Sequence, residues 1–277
     1  MKTPAESWIN GRTGHMLDYR DRGLQYGDGL FETMRVRQRA IRLLDFHLDR
    51  LADGCRRLAI EAPDAARLRS ELIRAAARRP DAVLKLIVTR GIGTRGYRPS
   101  GAERGTRVMS LQTLSAAAIR AAEAAVQVRV CATRLGANPA LAGLKTLNRL
   151  ESVLARAEWT DERVWEGLMR DTEENVVCGT MSNVFLRQGS VLATPMLDRC
   201  GIAGVMRRWV LEQARALELR VTVGRVRLED VARASEVFLT NAVVGIVPVA
   251  AIRHGRTRLR FAEQHTAQAL RARLERV

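Results

Sequence analysis

Two runs of alternating strand and helix patterns, parted by the Ala-rich stretch Ser115–Ala125, set the strongest limit on what this 277-residue chain folds into. In the first run, Ser7–Ile9 reads as a strand entering a tight turn at Asn10-Gly11, and Leu30–Arg37 alternates apolar and polar residues like a half-buried strand. Asp45 is placed to cap a helix running to Leu58, and Ala65–Ala77 is a second helix stopped by Pro80. Ala82–Val88 and Thr106–Leu111 are further strands. The Gly- and Arg-rich stretch Arg90–Gly101 between them is long enough to imply a working loop. In the second run, Val126–Cys131, Val164–Arg170, Arg220–Val223 and Glu236–Thr240 read as strands. Leu147–Trp159 and Gly204–Ala216 read as helices, and Gly179–Arg187 with Val191–Thr194 as a hairpin about Gln188-Gly189. The pattern predicts an α+β fold: a smaller N-terminal lobe over 1–115, a linker over 116–125 and a larger C-terminal lobe over 126–277.

The net charge of +16 invites a nucleic-acid reading that the residue types do not support. Of the 46 basic residues only Lys2, Lys85 and Lys145 are lysines, and the arginines are scattered rather than gathered in a tail or stripe. Aromatics are 4%, with no stacking motif, so no nucleic-acid partner is expected. Dispersed guanidinium groups suit a small anionic molecule better, because they pair bidentately with carboxylate and phosphate. No apolar run is long enough to cross a bilayer, the N-terminus lacks a secretory pattern, and no membrane partner is expected. Cys55, Cys131, Cys178 and Cys200 show no metal-binding spacing, so no metal is expected and the reading is a reduced, cytoplasmic protein.

Lys145 stands in ALAGLKTLNRL, an apolar context in which burial would lower its pKa toward nucleophilic use. Local context alone favours the plainer alternative, a lysine that snorkels to the surface. Two places suit an anion. Gly201–Arg207 sets small residues before a helix whose first N–H groups are open, and Arg50 lies one turn from His47 in HLDRL. An ordinary turn and a solvated arginine are the alternatives, and His47 reads as a packed or capping residue. Asp171, Glu173 and Glu174 read as a solvated acidic patch. A Schiff-base lysine with phosphate-holding groups suggests pyridoxal phosphate without establishing it.

The segments DRGLQYGDGLFETMRV (21–36), LDFHLDRL (44–51), LAGLKTLNRLESVLAR (141–156), SNVF (182–185) and GIAGVMRR (201–208) occur in order. Together they resemble the fold-type IV pyridoxal-phosphate enzymes, which include branched-chain and D-amino-acid aminotransferases and aminodeoxychorismate lyases. TRGIGTRGYRP (89–99) and TRLGANPALAGLKTLNRLE (133–151) lean toward the lyases. The resemblance implies a two-lobed fold with pyridoxal 5'-phosphate in the cleft between lobes, and a homodimer. It makes Lys145 the Schiff-base lysine and Arg50 the phosphate-binding arginine. It sets Val205, Met206, Asn241 and Ala242 at backbone or side-chain contacts to the phosphate.

Counting back five residues from Asn183 leads to Cys178, where the family has a glutamate that pairs with the pyridine nitrogen. Thr146 stands where lyases often carry histidine. A neutral thiol serves the ring nitrogen poorly. That weakens the electron sink that transamination needs more than it hurts an elimination driven by aromatisation. The expected activity is therefore elimination from 4-amino-4-deoxychorismate to 4-aminobenzoate and pyruvate, for folate synthesis. Arg95, Tyr97 and Arg134 are the candidates for the substrate carboxylates. The alternatives are a fold-type IV aminotransferase on D- or branched-chain amino acids, and a non-catalytic basic binding protein.

Overall fold

The computed structural model describes residues 6–115, 118 and 124–276. Most of the expected linker, residues 116–117 and 119–123, lies outside the described residues. The chain divides into two compact units, one of Met1–Leu114 with Leu144–Asn148, the other of Ser115–Gly143 with Arg149–Val277.

The first unit is built on a six-stranded antiparallel sheet. Its order is Arg12–Thr13, Glu6–Ile9, Thr106–Gln112, Asp81–Thr89, Gly29–Arg37 and Ala40–Ile41. Strand alternation decides which side chains are enclosed: Leu30, Glu32, Met34 and Val36 share the buried face of Gly29–Arg37. The helix Leu44–Arg57 packs on that strand, with His47, Leu51, Gly54 and Cys55 turned inward. Its start differs from the sequence reading. Asp45 does not cap it; Leu43 holds the N-cap place at φ 55°, and Asp45 pairs with Arg69 of the helix Ala65–Ala76 instead. That second helix is capped by Asp64, whose side chain accepts from Arg67 N.

Leu144–Asn148 was expected inside a C-terminal lobe that held all of 126–277, but it packs with the first unit. Phe31 N donates to Lys145 O, Leu147 N donates to Gly29 O, and Leu30 and Thr146 form an antiparallel bridge. Main-chain pairing with a strand overrides the helical pattern read from Leu147, so the helix starts only at Leu150 and ends at Arg156.

The second unit carries a nine-stranded mixed sheet. The order is Arg220–Gly224, Val191–Pro195, Asn183–Gln188, Glu236–Asn241, Gly245–His254, Val126–Leu135, Val164–Asp171 and Val176–Gly179, with Thr257–Arg260 beside Gly245–His254. Val126, Val128, Leu168, Val184, Val237, Val247 and Ile252 are among the buried aliphatics of its main core cluster. Phe185 and Phe238, register partners in this sheet, stack 5.1 Å apart with planes 7° from parallel. The helix Val205–Ala214 packs against Glu236–Asn241. Asp171 corrects the acidic-patch reading: it is buried and accepts from Glu173 N, Asn175 N and Asn175 Nδ2.

Candidate active site

In the first unit the inward position of Glu32 decides the electrostatics. Its carboxylate takes the Nε–H of Arg50 at 2.8 Å through Oε1, while Oε2 accepts from Arg50 Nη2 and lies 2.6 Å from His47 Nδ1. Glu32 and His47 are 2% and 1% exposed. Burial alone would raise the Glu32 pKa. The charge of Arg50 and the bond from His47 outweigh it and hold the carboxyl at about 2. Burial in turn pushes the His47 pKa down, aided by the charges of Arg50 and Lys145 and opposed by Glu32. His47 is therefore a neutral imidazole donating its Nδ1–H to an ionised Glu32. It is a packed histidine, and one helical turn of spacing brings it and Arg50 onto one carboxylate.

Lys145 is half-buried, on the segment that runs antiparallel to the start of this strand. Its Nζ stands 4.1 Å from the centroid of the Phe31 ring. A cation over a ring face is favourable, and the contact holds the amine against the aromatic ring. Asn148 Nδ2 donates to Tyr26 O at 3.4 Å, tying the far end of the lysine segment to the short helix Arg22–Tyr26.

The second unit supplies a helix end with open donors. Gly204 is the N-cap of Val205–Ala214, with extended backbone and no side-chain cap bond. The first N–H groups of a helix have no acceptor within it, so Val205 and Met206 present donors there. Asn183 fixes the approach: its Oδ1 accepts from Gly204 N at 3.1 Å and its Nδ2 donates to Ile202 O at 2.9 Å. A Cβ on Gly204 would fall 2.1 Å from Asn183 Oδ1, so any other residue must displace that side chain. Asn241 closes a turn, its Oδ1 accepting from Val243 N and Val244 N, with Ala242 inside that turn.

Glu166 is fully enclosed in the same unit, and sequence reasoning missed it. It accepts from Gly167 N, Thr180 N, Thr180 Oγ1, Met181 N and Ser182 Oγ. Those bonds fix the turn that follows Cys178 and occupy both oxygens. Cys178 is buried with Cys131, Met169, Val177 and Trp159. Burial pushes its thiol far up in pKa, so it stays neutral.

The comparisons with known proteins agree on one family. Residues 29–252 match the amino-transferase class IV model. An aminodeoxychorismate lyase of Vibrio harveyi is 35% identical over 245 residues, which cover 88% of this chain and 90% of that protein. The chain belongs to the amino-transferase class IV family.

Likeness within the family reaches two activities. The crystal structure of 4-amino-4-deoxychorismate lyase from Pseudomonas aeruginosa is 46% identical, covers 98% of both chains and superposes with a TM-score of 0.91. A putative branched-chain-amino-acid aminotransferase of Methanocaldococcus jannaschii is 31% identical over 83% of this chain and 80% of that protein. The class IV enzymes use pyridoxal 5'-phosphate. Each unit holds groups of the kind that cofactor needs: the first a half-buried primary amine and an arginine fixed by a buried carboxylate, the second a helix end with open N–H groups at Gly204.

The three candidates for the substrate carboxylates differ in their surroundings. Arg134 is occupied: its Nε and Nη2 donate to Glu174 at 2.8 and 3.1 Å, and its Nη1 donates to Cys131 O and Ala132 O. A substrate carboxylate would have to displace Glu174 to take this guanidinium. Arg95 and Tyr97, by contrast, are exposed on their loop, Tyr97 at 86%.

Proposed function

We propose that this chain is a pyridoxal 5'-phosphate-dependent 4-amino-4-deoxychorismate lyase, forming 4-aminobenzoate and pyruvate. The observation that carries the reading is its likeness, end to end and at 46% identity, to the Pseudomonas aeruginosa enzyme of that name. Lys145 is the residue that would hold the cofactor's carbonyl carbon. Arg50 and the N–H groups of Val205 and Met206 would hold its phosphate, with Asn241 and Ala242 as a further contact. Bound there, the cofactor supplies an electron sink for the charge left when a proton departs from the substrate's amine-bearing carbon.

The chain's own groups do the rest. Lys145 Nζ, once free, takes the proton from that carbon. The neighbouring C–O bond then breaks, enolpyruvate leaves with its electron pair and takes up a proton to become pyruvate, and the six-membered ring becomes aromatic. Glu32 keeps Arg50 oriented throughout and neutralises its charge. Cys178, where the family has glutamate, cannot offer a negative charge to the ring nitrogen. Glu166 is committed to its own donors and does not replace it. A weaker sink favours an elimination pulled by aromatisation over transamination. The aminotransferase alternative is supported by the Methanocaldococcus jannaschii relative.

A homodimer is part of this reading. Leu150, Val153 and Leu154 form an i, i+3, i+4 apolar stripe that is 76%, 60% and 62% exposed, a face suited to a second copy. The four cysteines are all free, which suits a reducing, cytoplasmic setting.

The test is product formation with and without an added 2-oxo acid. A lyase releases equal amounts of 4-aminobenzoate and pyruvate from aminodeoxychorismate with no acceptor present. An enzyme that forms no 4-aminobenzoate, yet turns over amino acids once a 2-oxo acid is added, is the aminotransferase instead.

A further inference from the structure

The loop that carries Arg95 and Tyr97 is far longer than its connection requires. Asp81–Thr89 and Thr106–Gln112 pair antiparallel with Thr89 opposite Thr106, a junction that a short hairpin turn would close. Residues 90–105 intervene, and their main chain is anchored rather than loose. Ile92 bridges to Asp21, Arg22 N donates to Gly91 O, and Glu103 accepts from Ser100 N and Gly101 N.

The middle of the loop is held by one buried side chain. Arg22 is 3% exposed, yet its Nη1 donates to Gly96 O at 2.9 Å and its Nη2 to Tyr97 O at 2.8 Å. The Tyr26 hydroxyl accepts from Gly96 N at 3.2 Å, and the Arg22 guanidinium lies 4.9 Å from the Tyr26 ring centroid. Arg22 is itself fixed, because its Nε donates to Asp28 Oδ2 at 2.9 Å. Arg90 takes the same carboxylate with Nε at 2.8 Å and Nη2 at 3.1 Å, and also donates to Leu58 O and Ala59 O. Burial alone would raise the Asp28 pKa; the bonds from Arg90 and Arg22 outweigh it and keep the carboxyl ionised. A chain of charged bonds therefore runs from the end of the helix that bears Arg50 to the loop that bears Arg95 and Tyr97.

We infer that Arg22 is a positioning residue for the substrate, fixing the backbone of Gly96 and Tyr97 so that Arg95 and Tyr97 meet an anionic, dicarboxylate substrate already in place. The inference rests on the lyase reading for the identity of that substrate. Its physical basis is preorganisation: an exposed loop ordered in advance does not draw its ordering entropy from substrate binding. Asp28 and Arg90 hold Arg22, and the planar fork of a guanidinium is what reaches two carbonyls and a carboxylate together. Lysine would not replace it.

The test compares wild-type holoenzyme with Arg22→Met and Arg22→Lys. Amide hydrogen exchange over residues 94–98 should quicken in both variants. KM for aminodeoxychorismate should rise by roughly tenfold or more, while kcat stays within about twofold and cofactor retention is unchanged, the pattern of lost ground-state binding. Exchange that does not change overturns the tether. Quickened exchange with an unchanged KM overturns the substrate role, as does a parallel fall in kcat and cofactor retention. Arg95→Ala and Tyr97→Ala alter only exposed side chains and fold whatever Arg22→Met does; both should raise KM, and an unchanged KM in both overturns the inference. A wild type that makes no 4-aminobenzoate defeats the lyase reading alone. The same KM comparison then runs on the amino acid that the enzyme does convert.

Discussion

The carboxylate of Glu32 grips the guanidinium of Arg50 edge-on, accepting from both Nε and Nη2 inside the first unit. This pair sets the direction of the arginine proposed to hold the phosphate. Charge-assisted bonds are worth ~1.5–3 kcal/mol, so Arg50→Ala should weaken pyridoxal 5'-phosphate binding by roughly tenfold to a hundredfold. Glu32→Gln puts an amide N–H against an arginine N–H and should act in the same direction. Pyridoxal, which lacks the phosphate, should bind both variants as well as wild type. Equal losses for the two ligands would mean general disruption instead.

The same cluster sets a pH dependence. His47 is held below its ordinary pKa of 6.5 by burial, so its contribution to stability is complete above 6.5 and declines as the pH falls below it. Glu32 is held at about 2 against an ordinary 4.5, so its contribution is complete above 4.5 and is lost as the pH falls from there through about 2. Thermal midpoints measured from pH 8 downward should decline first below 6.5 and more steeply below 4.5. His47→Gln should remove the first decline and leave the second. A variant that keeps both would place the earlier titration elsewhere.

Gly204 tests the cradle. Since a Cβ there would meet Asn183 Oδ1 at 2.1 Å, Gly204→Ala must displace the side chain that aligns the helix end. Overpacking of this kind costs roughly 1–3 kcal/mol. Urea denaturation should show a loss of that size, and cofactor retention should fall with it. A fully stable variant with undiminished cofactor binding would contradict the cradle.

Much of this arrangement was legible in the sequence, and the residues it missed share a cause. Lys145, Arg50 and Gly204 stand in short motifs whose local reading left plainer alternatives open, and the family resemblance gave them their roles. Glu32 went unread: an acidic residue at an inward position of an alternating strand needs a buried partner, but that partner lies on the following helix. Glu166 and Arg22 gave no comparable local signal, because their acceptors and donors are main-chain groups of distant turns. Asp171 was misread for the same reason: its neighbours in sequence are charged, while its bonds are to the backbone it organises. Arg134 finds its partner Glu174 at a distance of 40 residues in sequence, which no local pattern shows.

The resemblance sets Cys178 where the family has a glutamate, and its neutral thiol is expected to select the reaction. Cys178→Glu should raise any side transamination of amino acids by a larger factor than it raises release of 4-aminobenzoate. Both rates should be measured on the same cofactor-loaded preparations. Equal changes in the two, or a wild type that transaminates briskly, would show that the thiol only packs against its neighbours.

The central claim is that Lys145 carries the cofactor in an enzyme that makes 4-aminobenzoate. Borohydride reduction of the loaded enzyme, followed by peptide mapping and assay of the same sample, tests it directly. The expected result is a pyridoxyl group on Lys145 and complete loss of 4-aminobenzoate formation. A label on Lys2 or Lys85, or a sample fully labelled at Lys145 that still forms product, would contradict it.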